Sequence, residues 1–214
     1  TDYNDGFVLP CAIDRGSVVA WAPRDDARVR VVAVDAADQT DDFRLDAAIE
    51  RRDDRPWTHY VRGVARELVL RQGLPPSGAD LAIAGDVPAG AGLSSSAALE
   101  LAVGHALLAA AGQVLDATTL ALAAQRAENE FVGCRCGVMD QLVSARGVAG
   151  HALLIDCRSL AAHPIALPEG TALLIAHSRV RRGLVDSAYN ERRAACEAAA
   201  LELGVPALRD ALLT

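Results

Sequence analysis

Residues 96–111 form a helix-length segment whose ionisable side chains are one glutamate and one histidine, Glu100 and His105. A helix that is apolar on every side has no face for water, so the rest of its domain must bury it. The segment is also shorter than the roughly 18 residues that suggest a membrane-spanning helix. The sequence therefore predicts that this helix lies at the centre of a globular domain, with other elements packed around it.

Shorter patterned segments surround this central helix. Alternating or continuous apolar runs predict strands at residues 7–13, 17–22, 28–31, 43–45, 79–84, 152–157 and 171–176. Apolar residues spaced three and four apart predict further helices at residues 56–72, 117–133, 137–145 and 187–203, with Asp116 as the N-cap of the second. Because strands come first, helices next and strands again, the order favours an α+β fold over a regular βαβ array.

The charged residues limit the partners of the chain. All 21 basic residues are arginines, and 28 acidic residues give a net charge of −7. An acidic chain without a basic tract is a poor ligand for nucleic acid, so we expect no nucleic-acid partner. The absence of lysine excludes the P-loop NTPases and the protein kinases for this segment, because their phosphate sites require a lysine.

The cysteines and the apolar runs indicate the compartment. The five cysteines are odd in number and scattered, which favours a reducing environment over a disulfide framework. Cys134 and Cys136 form the one close pair, and without a second Cys/His pair at zinc-site spacing we expect free thiols there. No apolar run is long enough to span a bilayer, so we expect no membrane partner and a cytoplasmic protein.

A loop rich in glycine and serine joins the strand at 79–84 to the central helix. It contains Gly90, Ala91, Gly92, Leu93, Ser94, Ser95 and Ser96. Backbone N–H groups and the positive end of a helix dipole meet at such a junction, which makes it an anion site, and serine hydroxyls bind phosphate oxygens or a hard cation. The alternative interpretation, in which one serine caps the helix and the glycines make a turn, stays open at this point.

Four segments resemble one family of enzymes. VPAGAGLSSSAALE at 87–100 resembles the phosphate-binding motif of the GHMP small-molecule kinases. Within that family, three further segments resemble those of the galactokinases: TDYNDG at 1–6, ENEFVG at 128–133 followed by CGVMDQ at 136–141, and DSAYNERR at 186–193. The four segments occur in the order of the family and extend over nearly the whole chain, so the resemblance is specific.

The resemblance implies a fold and an activity. The implied fold is the α+β GHMP-kinase fold, with an N-terminal domain at residues 1–168 that packs helices on a mixed sheet, and the beginning of a second α+β domain at 169–214. The implied activity is transfer of the γ-phosphoryl group of MgATP to the anomeric hydroxyl of galactose, which gives galactose 1-phosphate and ADP. Alternatives are a kinase for N-acetylgalactosamine or arabinose, and a non-catalytic sensor of galactose and ATP.

The resemblance also implies a role for particular residues. The loop from Gly90 to Ser96, with Trp57, would bind ATP; Ser96 and Glu128 would hold Mg²⁺; Asp140 would be the catalytic base and contact the sugar together with Asp2, Gly137 and Tyr189. From the residues alone, Glu128 is equally an exposed helix charge. Without the flanking residues 137–139 and 141, Asp140 is better interpreted as a helix-start aspartate, whose ionised form a helix dipole favours. Asp2 and Tyr189 taken singly are structural residues of a turn and an amphipathic helix.

Some features depart from the family pattern. Arg135 replaces a residue that is more often Pro, and Cys134 one that is more often Thr or Met, which leaves the shape of this loop open. An arginine and a Gly-Glu-His segment that precede the first motif, and a third glycine-rich motif, lie outside the chain. We therefore expect a fragment of a longer, monomeric kinase, with little activity of its own.

Overall fold

A computed structural model describes residues 1–176 and 188–211. The strands of this part of the chain are β1 (Phe7–Val8), β2 (Ser17–Pro23), β3 (Arg28–Ala33), β4 (Gln39–Arg44), β5 (Ala79–Gly85), β6 (His151–Asp156) and β7 (Ala162–Ala166). Its α-helices are α1 (Thr58–Gln72), α2 (Ser95–Ala110), α3 (Ala117–Arg126), α4 (Met139–Arg146) and α5 (Ala188–Glu202). Short turns of other helical types lie at Asp2–Asn4, Val34–Ala36, Ala127–Val132 and Leu208–Asp210.

The first sheet is mixed and has the strand order β2-β5-β3-β4. Its central pair, β3 and β5, is parallel, with Val31 opposite Leu81, and the outer pairs are antiparallel. Val29, Val31, Leu81 and Ile83 alternate with more exposed residues, so one face of the sheet is buried in the main core. Helices α1 and α2 cover that face.

Helix α2 is the centre of the molecule, as its composition predicts. It packs against β2, α1, α3 and α4, and Val103 and Leu107 are almost fully buried. Gly104 permits the close approach of α3, because a Cβ atom added there would lie 2.7 Å from Cδ1 of Leu120. The N-terminus of α2 is therefore held by contacts on several sides.

The second sheet has the order β1-β6-β7 and is antiparallel. Leu153 and Ile155 of β6 pack against Val138 and Leu142, beside helix α4, in a second hydrophobic cluster. Strand β1 pairs Phe7 with Asp156. This pairing brings the first residues of the chain next to α4.

The structure corrects two of the predicted strands and adds one that was not predicted. Residues 171–176 are exposed and form no strand, because no described strand lies beside them to supply hydrogen bonds. Strand β7 was not predicted; it contains Pro164 and, among the described residues, pairs with β6 alone, and proline is tolerated on an edge strand. The strand predicted at 7–13 ends after Val8, and only a single bridge from Cys11 to Ala152 continues it.

The helix predictions are confirmed within a few residues at each end. Asp116 caps α3 by accepting hydrogen bonds from the backbone N–H groups of Thr118 and Thr119, both at 3.0 Å. The helix then continues as a π-helical turn, Ala127–Val132, and this turn ends at Gly133. The helix predicted at 187–203 is observed as α5, although residue 187 lies outside the described residues.

None of the helices in the described ranges combines the length and the apolar composition that crossing a bilayer requires.

We expect the core to respond to the truncation of single side chains. Leu68 on α1 is fully buried, so Leu68→Ala should lower the free energy of unfolding by about 2–5 kcal/mol through lost contacts and a cavity. Leu70 on the same helix is 63% exposed, and Leu70→Ala should cost less than about 0.5 kcal/mol. Urea denaturation measures both values, and equal losses for the two variants would contradict this packing.

Candidate active site

The glycine- and serine-rich loop leads from β5 into α2. Gly90 and Gly92 have φ angles of +71° and +76°, in the left-handed region that glycine adopts freely. Ser94 also has a positive φ, +58°, which costs a residue with a Cβ atom about 1–3 kcal/mol. The surrounding structure maintains this strain at the first residue of the three serines.

The serine side chains of this loop are not used to cap the helix. Ser94 is the N-cap residue of α2, but its side chain makes no capping hydrogen bond. The interpretation of the loop as a simple turn with a serine cap is therefore not supported. The amides of the first turn of an α-helix lack acceptors within the helix, so those of α2 could donate to an anion.

Glu128 is buried, which excludes its interpretation as an exposed helix charge. It lies in the π-helical turn and is 4% exposed. Burial raises the pKa of its carboxyl group, and hydrogen bonds from the Ser96 hydroxyl, the Cys136 thiol and the Gln141 amide oppose that rise. Ser96 and Glu128, separated by 32 residues in sequence, are thus brought close together.

Two further buried groups that sequence reasoning missed lie beside Glu128. Gln141 donates from Nε2 to Oε2 of Glu128 at 2.8 Å and to Oε2 of Glu100 at 3.2 Å, and both Gln141 and Glu100 are fully buried. Glu100 is the only acidic residue of α2, four positions after Ser96 and so on the same face of the helix. A single carboxyl group in an otherwise apolar helix is the sequence signal that could have identified Glu100.

Asp140 lies in the first turn of α4, next to the serine loop. Burial raises the pKa of its carboxyl group above the ordinary value of 3.8; the Ser94 hydroxyl opposes that rise, and the charge of Asp2 adds to it. Burial therefore acts against the ionised form that the helix dipole favours, and the direction of the shift is upward. A cavity of about 370 Å³ opens beside Asp140 and Ser94, between α2 and α4.

Asp2, Gly137 and Tyr189 meet on the other side of Asp140. The Tyr189 hydroxyl lies 3.4 Å from Oδ1 of Asp2 and accepts a hydrogen bond from the N–H of Gly137 at 3.1 Å. Oδ2 of Asp2 accepts a longer hydrogen bond from the N–H of Met139, at 3.4 Å. A Cβ atom at residue 137 would lie 2.1 Å from the Asp2 carboxyl group, so only glycine allows this approach.

Helix α5 is tied to the loop that precedes Asp140. Asn190 accepts a hydrogen bond from the N–H of Arg135 at 3.0 Å, and Arg193 donates to the carbonyl oxygens of Arg135 and Cys136. The Arg135 side chain binds the Glu197 carboxylate at 2.6 Å. The unusual residue Arg135 thus forms part of the attachment that places Tyr189 at the site.

Trp57 lies apart from these clusters. It precedes α1, is partly buried against the main core and donates from Nε1 to Oε1 of Gln39 at 2.8 Å. Its expected contact with ATP stays a prediction. A larger open groove of about 830 Å³ on the outer face of the first sheet is lined by Arg30, Asp42 and Asp80 among others, and contains none of the proposed site residues.

The oxygen ligands available for a metal ion are few. Within the described residues, no group of three or more His, Cys, Asp and Glu side chains is placed to hold a metal ion. Ser96 and Glu128 are a hydroxyl and a carboxylate, which suit a hard cation that keeps water molecules and takes other ligands from phosphate. They are too few to make a metal site without such ligands.

Family sequence models match two parts of the chain. The GHMP kinases N terminal domain matches residues 59–148, and the galactokinase galactose-binding signature matches residues 1–23. These ranges contain the glycine and serine loop, Glu128 and Asp140 in the first case and Asp2 in the second. The resemblance to the GHMP kinases, and within them to the galactokinases, is therefore confirmed.

Solved structures with a similar fold are kinases. A galactokinase of Lactococcus lactis, crystallised with galactose, is 28% identical with a TM-score of 0.85, covering 99% of this chain and 56% of its own. A D-glycero-D-manno-heptose 1-phosphate kinase of Bacteroides thetaiotaomicron is 18% identical, with a TM-score of 0.60, and covers 76% of this chain and 51% of its own. The mevalonate kinase of Methanococcus jannaschii is 16% identical, with a TM-score of 0.58, and covers 77% of this chain and 51% of its own.

The comparisons establish the fold. The chain has the mixed α+β fold of the GHMP kinases, and it spans only about half the length of the kinases to which it is similar. The two last-named structures are distant in sequence and support the fold alone.

The buried carboxyl group of Glu100 should make stability depend on pH. Burial, together with the charge of Glu128, raises its pKa well above the ordinary value of 4.5, so the folded state retains a proton that the unfolded chain has released. The stability that it contributes is complete below pH 4.5 and is lost as the pH rises through the folded-state pKa.

The variant Glu100→Gln removes this titration. We expect the free energy of unfolding of the wild type to fall relative to that of the variant as the pH is raised from about 5 to about 8. Urea denaturation at several pH values measures the difference between the two proteins. A difference that does not vary with pH would contradict the assignment.

Proposed function

We propose that the protein containing this chain is a galactokinase, which transfers the γ-phosphoryl group of MgATP to the anomeric hydroxyl of galactose. The observation that supports this most is the meeting of Asp2, from the galactose-binding signature, with Gly137 and Tyr189 beside Asp140. Asp140 also lies next to the serine loop at the N-terminus of α2. A sugar site and a phosphate site are thus adjacent at one carboxyl group.

The sugar is proposed to bind at Asp2. Its carboxylate can accept hydrogen bonds from two ring hydroxyls, and the contacts from Tyr189 and Met139 fix its orientation. Because Gly137 has no side chain, the Asp2 carboxylate can lie directly against its backbone. The sugar is therefore held by groups whose own places are set by backbone contacts.

Asp140 is proposed to accept the proton of the anomeric hydroxyl. A base is most effective when its pKa lies near the pH at which it works, and burial moves the pKa of Asp140 in that direction. Phosphoryl transfer requires little covalent chemistry from the protein, so the main contribution of Asp140 is to orient the hydroxyl towards the phosphate.

The phosphates are proposed to bind at the loop from Gly90 to Ser96. The open left-handed glycines permit close approach of the backbone, and the N-terminus of α2 favours negative charge. Ser96 and Glu128 fit magnesium in ligand type and proximity and would hold it together with phosphate oxygens. Bound magnesium would neutralise part of the phosphate charge.

A coupled assay of ADP release by the full-length protein tests the proposal. Galactose should support MgATP-dependent turnover, and the same assay with N-acetylgalactosamine and arabinose separates the alternative sugar kinases. Binding of galactose and ATP without turnover would instead support a sensor. Failure of all three sugars to release ADP, with correctly folded protein, would refute a sugar kinase.

Replacement of the proposed base should affect chemistry more than folding. We expect Asp140→Asn to lower kcat by about 10²–10⁴-fold, because the amide cannot accept the proton. Asp116→Asn is a matched control, since asparagine caps a helix about as well as aspartate. If the two variants had the same kcat, Asp140 would not be the base.

A methyl group at residue 137 should act on sugar binding. We expect Gly137→Ala to raise the KM for galactose by about tenfold or more, because the Cβ atom displaces the Asp2 carboxylate, while the KM for ATP changes little. Gly16→Ala is the control, since a Cβ atom there meets nothing within 4 Å. Equal changes in both KM values for Gly137→Ala would count against a specific sugar site.

A further inference from the structure

Gln141 and Glu100 form a buried hydrogen-bonded group behind the proposed magnesium ligands, and the proposed function gives neither residue a role. Gln141 follows Asp140 directly, in the first turn of α4, and Glu100 lies on α2. Both side chains are fully buried, and neither is placed to touch sugar or phosphate. A polar pair in such a position normally holds a third group in place, as outer residues do around metal sites.

The two hydrogen atoms of the Gln141 amide are directed at two carboxyl groups. One hydrogen bond goes to Oε2 of Glu128 at 2.8 Å, and the other goes to Oε2 of Glu100 at 3.2 Å. Oε1 of Gln141 has no partner among the described residues. The two donated hydrogen bonds therefore determine the position of the amide.

Glu100 fixes the amide because the helix that carries it cannot move. Its neighbours Leu101 and Val103 are buried in the main core, and α2 is packed against β2, β5, α1, α3 and α4. Ser96 lies one helical turn before Glu100 on the same helix. Gln141 thus links Glu128 to the same rigid helix that carries the second proposed ligand.

We propose that Gln141, anchored by Glu100, is a positioning residue that fixes the Glu128 carboxylate in the orientation in which it binds the magnesium ion of MgATP. The inference rests on the proposed function for the identity of the ion and the nucleotide. Helix α4 would then contribute to both parts of the site through adjacent residues. Asp140 lies near Asp2 at the proposed sugar site, and Gln141 contacts Glu100 and Glu128.

The variants Gln141→Met and Glu100→Leu test this inference in the full-length protein. Each removes the link to Glu128 while filling a similar volume with apolar atoms. We expect each to raise the Mg²⁺ concentration for half-maximal rate by about tenfold or more, and to change the KM for galactose by less than about twofold. Glu100→Gln retains an acceptor for the Gln141 amide and should shift the Mg²⁺ requirement much less than Glu100→Leu.

A binding measurement separates this role from a general structural one. Titration of Mn²⁺ in the presence of ADP, followed by the electron paramagnetic resonance of the free ion, should show weaker Mn²⁺ binding to Gln141→Met. The control is Gln113→Met, the same substitution beyond the far end of α2, which should bind Mn²⁺ like the wild type. Thermal melts by circular dichroism identify which variants fold.

Two results would overturn the inference. One is unchanged Mg²⁺ and Mn²⁺ dependence in folded Gln141→Met and Glu100→Leu, with a clear change in Glu128→Gln. The other is an equal loss of affinity for galactose and for the metal nucleotide, which indicates only a structural role. If the wild type binds Mn²⁺ with ADP but phosphorylates no sugar, the proposed function fails while the Mn²⁺ titrations still decide the role of Gln141.

Discussion

The burial of the apolar side chains of helix α2 is the constraint on which the proposed site depends. Leu101, Val103, Leu107 and Leu108 are nearly inaccessible to solvent, and each such side chain contributes about 1.5–3 kcal/mol on burial. Rotation or sliding of the helix would expose these groups, so its N-terminus has one position. The glycine and serine loop, Ser96 and Glu100 all take their places from that position.

Helix α4 joins the two halves of the site. It has eight residues, too few for independent stability in water, and it is held by Leu142, which is fully buried in the second cluster. Asp140 and Gln141 leave its first turn in different directions, towards Asp2 and towards Glu128. A displacement of this short helix would therefore disturb the proposed sugar and metal sites together.

The central helix and the loop before it could be predicted from the sequence because their signals are local. The apolar composition of residues 96–111 required burial, and the glycines and serines required a tight, polar junction. The hydrogen bonds that join Glu100, Gln141 and Glu128 were not predictable in this way. Glu100 and Gln141 lie 41 residues apart and meet only through tertiary packing. The strand expected at 171–176 was wrong for a related reason, because an apolar run becomes a strand only where a partner strand is available.

The pKa of Asp140 illustrates why position along a helix is a weak guide to chemistry. A helix N-terminus stabilises a carboxylate by about 0.3–1 kcal/mol at an exposed site, whereas removing a charge from water costs several kcal/mol. The larger effect determines the direction, and the pKa of Asp140 is raised even though the nearby Ser94 hydroxyl acts to lower it. Nucleotide phosphates at the adjacent loop would add negative charge of the same sign and raise the pKa further, in proportion to the charge that magnesium leaves uncompensated. The proposed base would then become a better proton acceptor when the nucleotide is bound.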